Sequence, residues 1–125
     1  MDPSFKLIVD GSEVASGTLR RAIAPSAVAE LERLRQLSGN AIMIGSAVVI
    51  VTRIKVGASK ARRHFGAGEV ALNPADGSLW FFAAESDSRM PLVPLGSITQ
   101  GLDGLSSIRR GARVTVIVRS EQSPP

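Results

Sequence analysis

One histidine, no cysteine and no tyrosine leave this 125-residue chain few groups able to do covalent or acid–base chemistry. His64 is the single side chain whose ordinary pKa lies near neutrality, and it sits in the run Lys60-Ala61-Arg62-Arg63-His64. The two guanidinium groups beside it are expected to disfavour its protonation. Without cysteine there is no thiolate nucleophile, disulfide or thiolate metal site, and a single histidine excludes a His-rich zinc site. No Gly-x-Ser-x-Gly elbow is present, so no Ser/His/Asp triad can be built. The catalytic set is therefore expected to be empty, with no metal and no cofactor. Lys60, Arg62, Arg63 and His64 are bracketed by Gly57 and Gly66. Such a cluster can grip a phosphate or a carboxylate. No aromatic residue is interleaved with these cations, which argues against stacking on nucleic acid.

A second group of candidates lies downstream. Trp80, Phe81 and Phe82 hold most of the aromatic content. Alternation along a strand puts Trp80 and Phe82 on one face and Phe81 on the other. One face must be core, and the other can line a pocket or a subunit contact. Asp87, Arg89 and Met90 follow in a polar stretch, where a charged pair at a rim can orient a ligand. The candidate ligand-binding residues are thus Trp80, Phe82, Asp87 and Arg89, with Lys60, Arg62, Arg63 and His64.

The elements that must position these residues follow from pattern. Residues 5–9 alternate and run into Asp10-Gly11, a turn signal, and 13–19 return as the second strand of a hairpin. Residues 25–37 read as the one substantial helix. Pro25 suits its first turn, and Ala27, Val28, Leu31, Leu34 and Leu37 form one apolar stripe. Glu30 with Arg33, and Glu32 with Arg35, are spaced to pair. Ser38-Gly39-Asn40 should cap it. Residues 41–56 read as two strands or one bent strand with a bulge at Gly45. Residues 57–67 read as a loop. Strands follow at 68–72 and 78–84, joined by the turn at 73–77. Residues 85–91 read as irregular, 92–98 as an edge or bulged strand because of Pro94, and 101–108 as a short helical turn. Arg109-Arg110-Gly111 turns the chain into a closing strand, 112–118, and 120–125 is a frayed tail. About eight short strands with close connections should form a mainly antiparallel sheet that curls and closes. Val48-Val49-Ile50-Val51 is apolar on both faces. Its outer face must be covered by the helix or by a second subunit, which leans the reading toward a homodimer.

Length fits one domain with a real core, taken as residues 1–119. The net charge is +4, with 12 arginines against 3 lysines, and pI is about 10.7. This points weakly to an anionic partner. No run approaches the about 20 apolar residues that span a bilayer. No basic start precedes an apolar stretch as in a signal peptide, so a cytoplasmic location is expected.

Two strings carry a resemblance. One runs from Gly68 through Val70-Ala71-Leu72-Asn73 and Asp76-Gly77-Ser78 to Phe81-Phe82. The other is Val93-Pro94-Leu95-Gly96-Ser97-Ile98, then Gly101-Leu102-Asp103 and Leu105. Together they resemble the cyclophilin-type barrel, and in particular the compact cyclophilin-like proteins of archaea and bacteria, a family without an established function. The resemblance implies a closed, mainly β barrel of about eight strands, with one main helix at an open end and a short helical turn. It also implies how activity would be carried. Cyclophilins lower the barrier of about 20 kcal/mol to rotation about X–Pro bonds. They use an arginine on the strand after the first helix, an apolar floor, and a tryptophan and a histidine before the second string. Here those last two positions fall near Asp87 and Leu92. The nearest strand arginine, Arg53, has non-matching neighbours, and Phe82 alone keeps a floor residue. Loss of the donor removes differential stabilisation of the twisted peptide. The function expected is a non-catalytic binding module for a peptide or a small anionic ligand. A weak prolyl isomerase and a structural or regulatory homo-oligomer are the alternatives.

Overall fold

The computed structural model describes residues 2–56 and 60–120. Nine antiparallel strands are present: β1 (Ser4–Val9), β2 (Ser12–Leu19), β3 (Gln36–Ile44), β4 (Ala47–Ile50), β5 (Arg62–Phe65), β6 (Glu69–Leu72), β7 (Leu79–Phe82), β8 (Ser86–Gln100) and β9 (Arg113–Arg119). One α-helix, α1 (Pro25–Leu34), and one 3-10 turn (Leu102–Ser107) are the helical elements among the described residues. Eight strands close into a barrel in the order β2-β1-β9-β3-β4-β7-β6-β8, with β8 returning to β2. β5 stands outside it and pairs with β8. Among the described residues no helix is long and apolar enough to cross a membrane.

The closing seam is made by two glycines. A Cβ on Gly17 would lie 2.1 Å from the Ser97 carbonyl oxygen, and one on Gly96 2.0 Å from that of Thr18. Only a bare backbone lets β2 and β8 approach this closely. β8 is also bulged. Val70 faces Gly96 but Ala71 faces Pro94, so Leu95 is the extra residue. The edge-or-bulge reading of Pro94 is met by the bulge.

The barrel interior is filled. Phe5, Leu19, Leu31, Val70, Phe81 and Leu95 surround a residual void of only about 10 Å³. An eight-stranded barrel is just wide enough for its side chains to fill. Ala27, Val28 and Leu31 of α1 are buried and join that core.

The helix ends three residues before the expected stop. Arg35 takes a φ of 64° and its N–H bonds the Leu31 carbonyl at 2.9 Å. Residues 36–40 then pair with β9. Leu37 and Gly39 therefore belong to a strand, and pairing overrides local helix preference. Gly39 serves close approach: a Cβ there would meet the Val51 carbonyl oxygen at 2.4 Å. Glu30 pairs with Arg33 at 2.6 Å, whereas Glu32 takes Arg21 at 2.6 Å and not Arg35.

Gly45, at φ 59°, is the turn of a β3–β4 hairpin, which decides for two strands over one bent strand with a bulge. Two further expectations are corrected. Residues 62–65, read as loop, form β5, and 86–91, read as irregular, open the fifteen-residue β8. Both stretches are too polar to show a burial period, so only their mutual pairing reveals them as strands. Residues 57–59 of the expected loop and 121–125 of the expected tail lie outside the described residues.

The pairing of β5 with the start of β8 makes a two-stranded ribbon that lies over the barrel's outer wall. Beneath it sits a second core: Ala47, Val49, Phe65, Ala71, Trp80, Phe82 and Leu92. The outer face of β4, for which the sequence offered the helix or a second subunit as cover, is covered by this ribbon of the same chain. Val48 and Ile50 face the barrel interior.

Candidate functional site

The aromatic strand β7 splits as alternation requires. Phe81 enters the barrel core, 5.9 Å from Phe5 between ring centres, while Trp80 and Phe82 face outward into the second core. Phe65 of β5 lies stacked on Phe82, with centres 4.9 Å apart and planes 7° apart. The indole N–H of Trp80 donates to Ser78 Oγ at 3.0 Å, and that hydroxyl donates to Asp76 Oδ1 at 2.7 Å. Trp80 therefore presents carbon, not a donor, to anything that approaches it.

An open cleft of about 270 Å³ lies where the second core meets solvent. Its floor is Trp80 and Phe82, its apolar walls are Ile44 and Met90, and Ser86, Asp87, Ser88 and Arg89 form a polar rim. The hairpin tip at Gly45 closes one side. The Met90 sulfur accepts from the buried Asn73 amide at 3.5 Å, which seats that wall. Arg89 is exposed and has no acidic partner among the described residues. The fold thus brings Trp80, Phe82, Asp87 and Arg89 together as the sequence suggested. It adds Ile44 and Gly45, which sequence reasoning missed because they arrive from a hairpin far away in the chain.

The basic cluster is dispersed. His64 is clamped by two carboxylates: Nδ1 meets Asp87 Oδ1 at 2.6 Å and Nε2 meets Glu85 Oε2 at 2.8 Å. The hydrogen bond to Asp87 first, and that to Glu85 second, push its pKa up from the ordinary value. This reverses the expectation that Arg62 and Arg63 would disfavour the imidazolium. Arg62 is engaged by Glu69 and by the His64 carbonyl, and its guanidinium lies 4.5 Å over the Phe65 ring. Burial of Glu69 works to raise its pKa, but the Arg62 hydrogen bond and the Gly66 N–H outweigh it and the carboxyl is lowered. Lys60 and Arg62 border a separate depression with Ile23 and Pro94, away from the cleft. Arg63 is exposed.

Glu85 and Asp87 approach His64 at opposite ring nitrogens, so the three side chains do not converge on one point. Among the described residues no group of three His, Cys, Asp or Glu is placed to hold a metal ion. Of the positions that matter in cyclophilins, Leu92 is wholly buried in the second core. Arg53 lies on the irregular run after β4 and lines a groove beside α1, not the cleft.

No family model matches the chain, and no curated protein matches it. Solved structures do. The hypothetical protein AF2241 from Archaeoglobus fulgidus superposes with a TM-score of 0.73 at 15% identity, covering 95% of each chain. McbB, solved in complex with tryptophan, superposes with a TM-score of 0.68 at 14% identity. That match covers 98% of this chain and 46% of McbB, so this chain spans under half of that protein. At such identities the likeness is one of fold.

Proposed function

We propose that this barrel is a non-catalytic binding module that takes a small anionic ligand with an apolar body in the cleft beside Phe82. The observation that carries the reading is the pairing of an apolar floor with a rim guanidinium that has no acidic partner among the described residues. Trp80, Phe82, Ile44 and Met90 supply contact area, and Arg89 supplies the charge. Asp87 is held by His64, so it competes little for Arg89. The volume suits a molecule of about amino-acid size, just below the usual range for drug-sized ligands. The filled barrel interior supports placing the ligand outside it.

Trp80 is the only tryptophan, so its fluorescence reports on the cleft alone. N-acetylphenylalanine is expected to shift that emission saturably, and N-acetylphenylalanine amide, lacking the charge, to do so much more weakly. Arg89→Ala should weaken the acid by about 10- to 100-fold, as loss of a charge-assisted hydrogen bond of about 1.5–3 kcal/mol implies. Equal affinity for acid and amide, or no change on Arg89→Ala, would refute the anionic ligand.

A further inference from the structure

A second groove, of about 550 Å³, lies between α1, the start of β3 and the run 51–55 that follows β4. It shares no residue with the cleft beside Phe82. Two of its walls are unusually apolar for surface: Val51 is 51% exposed and Leu34 36%. Leu37 and Ile54 continue that lining, and Arg53 and Lys55 stand at its margin without acidic partners among the described residues. Arg33 is already tied to Glu30. The groove therefore carries a positive excess.

The backbone adds a separate observation. Exposure alternates along the run, with 51, 53 and 55 exposed and 52 and 54 buried, as in a strand. Yet beyond the Val51 N–H, which donates to the Asn40 carbonyl at 3.3 Å, no backbone hydrogen bond among the described residues involves 52–55. Exposed backbone groups of this kind meet water, and an added strand can take its place. Their directions follow from alternation. Gly77 packs on the Ile54 backbone, where a Cβ on that glycine would lie 2.4 Å from the amide nitrogen and 2.5 Å from the carbonyl oxygen. The amides and carbonyls of Arg53 and Lys55 then face the opposite edge, the one from which Val51 reaches β3. On β3 the Ala41 N–H goes to Ala112 at 2.8 Å while the Asn40 carbonyl takes Val51. The Ser38 backbone groups are therefore turned to the same gap. β3 and the run part after Val51 and leave an open strand edge along a groove with a basic margin.

We propose that this groove docks an extended acidic segment of a partner protein, which adds as a strand along 51–55. Main-chain hydrogen bonds to Arg53 and Lys55 give affinity, and cross-strand pairs give selectivity. Antiparallel addition sets acidic side chains opposite Lys55 and Arg53 and an apolar one opposite Val51.

The test uses N-acetylated, C-amidated Glu-Thr-Glu-Thr-Val carrying a fluorophore, and Lys-Thr-Lys-Thr-Val as its charge-reversed counterpart, read by anisotropy on the full chain. The acidic peptide should bind and the basic one should not, with affinity falling as salt rises. The double variant Arg53→Glu, Lys55→Glu replaces two exposed side chains, so the fold should persist. It should lose the acidic peptide by about tenfold or more and gain the basic one, as exchange of attraction for repulsion at two exposed pairs implies. Amides of Arg53 and Lys55 should exchange fast in the free protein and slow on binding. Equal binding of both peptides, indifference to the double variant, protection of those amides in the free protein, or self-association of the wild type abolished by Val51→Asp would each overturn the proposal.

Discussion

Phe65→Ala isolates the second core from the first. Phe65 is 0% exposed and stacks on Phe82, and it is the residue by which β5 grips the wall. Deleting a buried phenylalanine costs about 3–5 kcal/mol from lost transfer energy and the cavity left behind. The stacked pair accounts for about 0.5–1.5 kcal/mol. Barrel core residues such as Leu7 and Val114 touch none of this, because they belong to the other cluster. The loss should therefore fall on the ribbon. Amides of β5 and of the first residues of β8, 86–92, should lose protection by about 10²–10³-fold, the equivalent of about 3–4 kcal/mol. Those of β1 and β9 should change much less. Native-state hydrogen exchange with residue resolution is the assay. A uniform loss across both groups would show that ribbon and barrel unfold as one unit and would refute the division. A loss below about 1 kcal/mol would show that Phe65 does not anchor β5.

Two further expectations follow. His64 is the only histidine, so its imidazole proton signal in NMR gives one clean titration. The folded midpoint should exceed that in urea, because Asp87 and Glu85 favour the cation. The sign is fixed: a raised folded pKa stabilises the fold below the unfolded value and loses that contribution as pH rises through the folded one. Ribbon protection should thus fall as pH rises through the folded midpoint, and Asp87→Asn should bring that midpoint down. An unchanged midpoint in that variant would exclude the clamp. At the seam, Gly96→Ala should cost about 3 kcal/mol or more in urea unfolding, because its methyl group meets backbone. Gly11→Ala, with nothing within 4 Å, should cost only about 1 kcal/mol for its positive φ. Equal costs would mean that the seam can relax.

Much of the architecture is legible in the residues. The Asp10-Gly11 hairpin, the start of α1 at Pro25, the two-faced β7 and the bulge beside Pro94 each follow from a local rule. What is hidden depends on partners far away in the chain. Arg62, Arg63 and His64 look like a solvated basic loop, and only their pairing with residues 86–92 makes them a strand. The same pairing sets Asp87 and Glu85 against His64, so an imidazole expected to be repelled by arginines is held by acids. The helix boundary fails for a related reason: β9 claims residues 36–40, and nothing within the helix signals it. The apolar double face of β4 is read correctly, but its cover comes from an element that the sequence does not mark as structured.

The place of β9 in the sheet has a consequence for synthesis. This last stave stands between β1 and β3, pairing with both through residues 113–119. While the ribosome is still adding earlier residues, the two strands that flank the vacancy have no neighbour there, and their unpaired edges are open to pairing with another chain. The barrel cannot shut progressively from its amino end. It has to wait, unsealed, until the final strand has emerged, and for that interval a nascent chain depends on being kept apart from its neighbours.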